Sequence, residues 1–113
     1  MNVMTVTKSR TSIFRVDRLT CPADHRTALE DRLAIIHGYF DTLPGCLYNK
    51  VAIADGGETV HVVTVVEWES QKALNDAKAK VADFYGAVGF DPKAFMAERG
   101  IVAEFGTYAG LAI

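Results

Sequence analysis

Cysteine, charge of one sign and long apolar runs are what this sequence has least of, and each shortage closes off a class of protein. Only two cysteines occur, Cys21 and Cys46. They bracket a predicted helix whose ends stand about 30 Å apart, whereas disulfide Cα atoms lie within roughly 7 Å. An internal bridge is not expected, and two cysteines without neighbouring ligands make no zinc site. Twelve Lys and Arg against fourteen Asp and Glu leave a net charge of −2. The cations are scattered, so there is no basic patch of the kind nucleic acid requires. No apolar run approaches the roughly 20 residues of a membrane span. Met1 to Ser12 is polar and threonine-rich, unlike the apolar core of a signal peptide. A cytoplasmic protein with no nucleic-acid or membrane partner is expected. No glycine-rich phosphate loop, Ser-His-Asp order or metal-ligand spacing stands out either.

What the chain does have is a valine-rich stretch, Val60 to Ser70. Five of its eleven residues are valine, which makes it a strand. The two-residue period puts Val60, Val62, Thr64, Val66 and Trp68 on one face and His61, Val63, Val65, Glu67 and Glu69 on the other. Both faces are apolar through the middle, so both need cover, as in a central strand. The 113 residues are expected to form one domain, 1–113, with 1–11 as a loose N-terminal arm.

Around this strand the other elements fall in order. Ile13 to Leu19 predicts a first strand with unusual polar insertions, Arg15, Asp17 and Arg18. Thr20-Cys21-Pro22-Ala23-Asp24 signals a helix start, and Leu29, Leu33, Ile36, Phe40 and Leu43 form the apolar stripe of a helix running to about Thr42. Leu43-Pro44-Gly45 ends it. Leu47 to Ala54 predicts a strand that pairs with the valine-rich one across the Asp55-Gly56-Gly57 turn. Ser70 is a good N-cap for a second helix with the stripe Leu74, Ala77, Val81, Phe84 and Val88. Asp91-Pro92 starts a short helix, and Ile101 to Ala109 a last strand. The order β-α-β-β-α-β predicts an α+β, ferredoxin-like fold, a four-stranded antiparallel sheet with both long helices on one face. The second sheet face then lacks cover within one chain, and a homodimer through that face is the expected remedy.

Leu43-Pro44-Gly45, followed at the right distance by Val65-Val66-Glu67-Trp68-Glu69-Ser70 and Gln71-Lys72-Ala73-Leu74, resembles the antibiotic biosynthesis monooxygenase family of the dimeric α+β barrel superfamily. The resemblance covers roughly residues 13 to 88. It implies a dimer whose two sheets pack face to face, with a cavity between sheet and helices in each subunit. It also implies oxidation of phenolic or quinol-like molecules by molecular oxygen without a cofactor. Haem-degrading members of the family carry a histidine on the second helix where this chain has Lys78, flanked by Ala77 and Ala79, so haem degradation is not implied here.

A cofactor-free oxygenase needs a base, a substrate anion that reacts with oxygen, and a dry pocket. Trp68 is the leading candidate to stack on an aromatic ligand, against the plainer reading that it caps the core. His37 and Tyr39 flank the first helix's apolar stripe and are catalytic candidates with Trp68; the plainer reading makes them amphipathic edge positions. Arg15, Arg18 and Tyr85 join Trp68 as ligand-binding candidates. The two arginines need a partner, which could be Asp17, Glu67 or an anionic ligand. His61, with Asp17 expected beside it, reads as a partnered structural histidine on the dimer face. A non-catalytic dimeric module that binds a small hydrophobic ligand, or serves only in assembly, is the alternative function.

Overall fold

The computed structural model describes residues 12–113; the expected arm at 1–11 lies outside them. The elements are β1 (Ile13–Pro22), a 3-10 turn (Ala23–His25), α1 (Arg26–Phe40), β2 (Cys46–Asp55), β3 (Thr59–Trp68), α2 (Gln71–Val88), α3 (Pro92–Arg99) and β4 (Val102–Ala109). The sheet order is β2-β3-β1-β4, with every neighbouring pair antiparallel. The valine-rich β3 is central, as its two apolar faces require, and β1 is its central partner. The fold is the expected four-stranded ferredoxin-like α+β arrangement.

One boundary differs from the sequence reading. β1 continues through Thr20, Cys21 and Pro22 rather than giving way to helix, because Cys21 is wholly buried opposite Val60 in the sheet. Pro22 ends the strand, and α1 begins only at Arg26. In the register against β3, Asp17 faces Thr64 and His61 faces Thr20. Asp17 and His61 therefore lie on opposite faces of the sheet, and the expected pair does not form.

The helix-facing side of β3 is buried at every second residue: Val60, Val62, Thr64, Val66 and Trp68. The core beneath the helices is nevertheless divided. Val60 and Val62 join Leu19, Cys21, Leu29 and Ile101 in one cluster, with Phe95 and Met96 of α3 against it. Val66 and Trp68 join Leu43, Ala73, Leu74 and Ala77 in the other. Between them, on the same face, the central strands carry Arg15, Asp17 and Thr64 (the register opposes Arg15 to Val66 and Asp17 to Thr64). Three polar residues in mid-sheet interrupt what would otherwise be a continuous apolar layer.

Local signals fix the helix ends. The Ser70 Oγ accepts from the Ala73 N–H at 3.0 Å, and the Asp91 carboxylate accepts from Lys93 and Ala94 N–H ahead of Pro92. Gly45 has φ +85°, and its carbonyl accepts from the Glu69 N–H at 2.8 Å. A Cβ there would lie 2.6 Å from that of Ala73. The Pro-Gly turn and the strand–serine–helix junction thus touch. Gly45→Ala combines backbone strain with overpacking, and is expected to lower stability by about 1–3 kcal/mol, read as a reduced denaturant midpoint with an unchanged m-value.

Candidate functional site

α2 lies close to the sheet only in its first half. Ala73, Leu74 and Ala77 are buried, Val81 and Phe84 are half-buried, and Val88 at the far end is exposed. The space opened as the helix leaves the sheet is a cleft of two lobes. The larger, about 300 Å³, is lined by Arg15, Asp17, Phe40, Thr64, Trp68 and Lys78, among others. The smaller, about 160 Å³, reaches past His37, Arg32, Phe84, Phe90 and Phe105. Asp17, Phe40, Thr64 and Tyr85 line both lobes. The polar gap in the core is thus the junction of the two lobes.

His37 is held in one tautomer. Asn49 on β2 donates through Nδ2 to the His37 carbonyl at 2.8 Å and to the Asp41 carboxylate at 3.0 Å. This fixes its amide oxygen toward the ring, 2.6 Å from His37 Nδ1. Nδ1 therefore carries the proton and donates it to Asn49, and Nε2 is the acceptor nitrogen, with no partner among the described residues. Burial holds the imidazole below its usual value, although Asn49, Asp17 and Asp41 each pull it upward. A neutral ring with one open lone pair is the outcome. Burial raises the Asp17 carboxyl against the opposing pull of Arg15 and His37, and raises the Tyr85 hydroxyl against Arg32.

The other sequence candidates divide by location. Trp68 is 2% exposed, packed edge-on against Phe40 with ring centres 5.9 Å apart. It serves the core and the wall of the larger lobe at once. Arg15 enters the same lobe and pairs with Asp17 at 3.2 Å. Tyr39 lines neither lobe; it stacks on Phe84 at 4.4 Å and ties α1 to α2. Arg18, one strand position from Asp17 and two from Thr20, points away from the helices and pairs with Glu104 at 3.3 Å on the open face. His61 is exposed on that face as well. Four named candidates, Trp68, His37, Arg15 and Tyr85, thus share the cleft, and Arg18 and Tyr39 stand apart from it.

No family model matches the sequence, and no curated protein matches it. Solved structures do. A Deinococcus radiodurans protein described provisionally as an antibiotic biosynthesis monooxygenase superposes with a TM-score of 0.67 at 21% identity, over 89% of this chain and 95% of its own. The chain has the fold of that family. The protein SO0527 of Shewanella oneidensis gives a TM-score of 0.72 at 17% identity, covering 95% of this chain and 98% of its own. SnoaB of Streptomyces nogalater, a cofactor-independent oxygenase, gives 0.61 at 15% identity, covering 91% and 96%.

Of the residues that shape the cleft, sequence reading offered Asp17 as a partner for the arginines and missed Asn49, which lies behind His37 rather than in the cleft wall. Asp17 was legible as a neighbour of Arg15, since i and i+2 share a strand face. Asn49 left no signal, because its partner lies on another element and only the α1–β2 packing brings the two together. Among the described residues no cluster of His, Cys, Asp and Glu could hold a metal ion, and no helix is long and apolar enough to cross a membrane.

Proposed function

We propose that the protein is a cofactor-independent monooxygenase acting on a phenolic or quinol-like aromatic molecule bound in the cleft. The carrying observation is His37 in the cleft wall among aromatic and aliphatic side chains, a neutral imidazole locked by Asn49 whose Nε2 has no partner among the described residues. Nε2 takes the phenol proton, and the resulting anion supplies electrons to oxygen as a new ring C–O bond forms. Loss of water from the peroxide leaves a quinone. One oxygen atom stays in the product; the other departs in water with the two hydrogens the substrate has lost. The apolar walls keep bulk water from the anion. The SnoaB fold likeness is consistent with this chemistry. Oxygen uptake with a panel of phenols and quinols is the test. Saturable uptake well above the protein-free rate is expected; its absence across the panel would favour a ligand-binding module instead.

A homodimer through the uncovered sheet face is part of the same proposal. Phe14, Val16, Val63 and Val65 lie there, with Tyr48, Val102 and Tyr108 more exposed around them. A second copy packing its own face against this one would bury that apolar surface. A Val63→Asp chain is expected to sediment as monomer or to aggregate, since a carboxylate there would be desolvated without a partner. A soluble Val63→Asp dimer would place the interface elsewhere.

A further inference from the structure

Arg15 is a cationic residue of the cleft that the oxygenation step leaves unused. Its guanidinium has five N–H donors, and the protein engages it through a single bond, from Nη2 to the Asp17 carboxylate. Its Nε–H is buried with no acceptor, the only side-chain polar atom in that condition among the described residues. Nη1 likewise has no partner among the described residues, and the Phe105 ring lies 5.8 Å from the guanidinium carbon. A desolvated donor without a partner is costly, and native structures seldom keep one without a use. The same lobe holds Lys78 as a second cation and Asp17 as its one carboxylate, in a chain whose net charge is −2. The Trp68 indole lines the same lobe, on the strand beside Arg15 and two positions beyond its partner Val66.

We infer that the larger lobe binds an aromatic acid, its ring against Trp68 and its carboxylate on the Nη groups at the tip of Arg15, the buried Nε being out of a ligand's reach. The inference rests on the cleft being the substrate site, and it narrows the substrate class to molecules that carry an acidic group besides the reacting hydroxyl. A planar fork of N–H groups suits a carboxylate better than any neutral oxygen. Asp17 does not fill that role, since its single bond leaves the other donors free. The raised carboxyl of Asp17 also lessens how fully it compensates the arginine. The lobe's volume of about 300 Å³ lies at the small end of ligand pockets, which suits one or two fused rings.

The test is calorimetric titration at neutral pH with 2-naphthoate and with its neutral counterpart, 2-naphthamide. The acid is expected to bind about tenfold or more tightly, in proportion to a charge-assisted hydrogen bond. Arg15→Gln should erase the preference, and Arg15→Lys should keep part of it. The Arg15→Gln, Asp17→Asn double variant removes both buried charges, so it guards against a fold disturbed by an unpaired Asp17; it too should show no preference. Equal binding of acid and amide to the wild type, binding of neither, or a preference that survives in a folded Arg15→Gln chain would overturn the inference. Binding requires no turnover. A chain that prefers the acid yet consumes no oxygen would refute the oxygenase reading alone, and one that consumes oxygen without the preference would refute this inference alone.

Discussion

His37→Gln should lower oxygen uptake by roughly 10²–10⁴-fold, the usual contribution of a general base, while leaving the affinity for a non-reacting aromatic ligand nearly unchanged. The amide side chain can still bond Asn49, so α1 and β2 stay joined, but no basic nitrogen remains at the cleft. The wild-type pH profile supplies a second check. Burial places the imidazole below its ordinary 6.5, so the base is neutral and competent at and above that value. Activity should rise with pH along an acid limb lying below 6.5 and then level off. The same shift affects stability with a defined sign. The unfolded chain binds the proton more readily than the folded one, so stability is lost as pH falls from 6.5 through the folded-state value. His37→Gln removes that component of acid destabilisation. An acid limb that persists unchanged in the variant would assign it to another group.

Trp68→Ala should cost about 3–5 kcal/mol of stability, the range for truncating a buried aromatic. The indole is 2% exposed and belongs to a cluster with Leu43, Val66, Ala73, Leu74 and Ala77. Neighbouring backbone cannot collapse into the space, because β3 is held on both sides by β1 and β2. The vacated volume would join the larger lobe. For a domain of this size such a loss lowers the melting temperature by 10 °C or more, at roughly 4–8 °C for each kcal/mol. Trp68→Phe is the informative companion, since it keeps most of the apolar volume and loses the indole N–H and its wider stacking surface. A stable Trp68→Phe chain with weakened aromatic binding would separate the wall function from the core function; unaltered binding would leave Trp68 a core residue only.

The sequence itself determined a good deal of this. Alternation in Val60 to Trp68 was enough to divide β3 into a helix-facing row and an open row, because a strand's side chains can point only two ways. The helix stripes, the Ser70 and Asp91 caps and the Asp55-Gly56-Gly57 turn rest on equally local rules, and they gave the topology. Tertiary structure alone decided the site. Strand parity already puts Arg15 and Arg18 on opposite faces, but only packing between elements sets Arg15 in the cleft beside Trp68 and Arg18 against Glu104. The β1–β3 register sets Asp17 opposite Thr64, on the other face from His61 and in the cleft that His37 also lines. Asn49 became the residue that fixes the imidazole only once α1 lay across β2. Local propensity settles which way a side chain faces; which distant side chain it meets depends on register and packing between elements far apart in sequence.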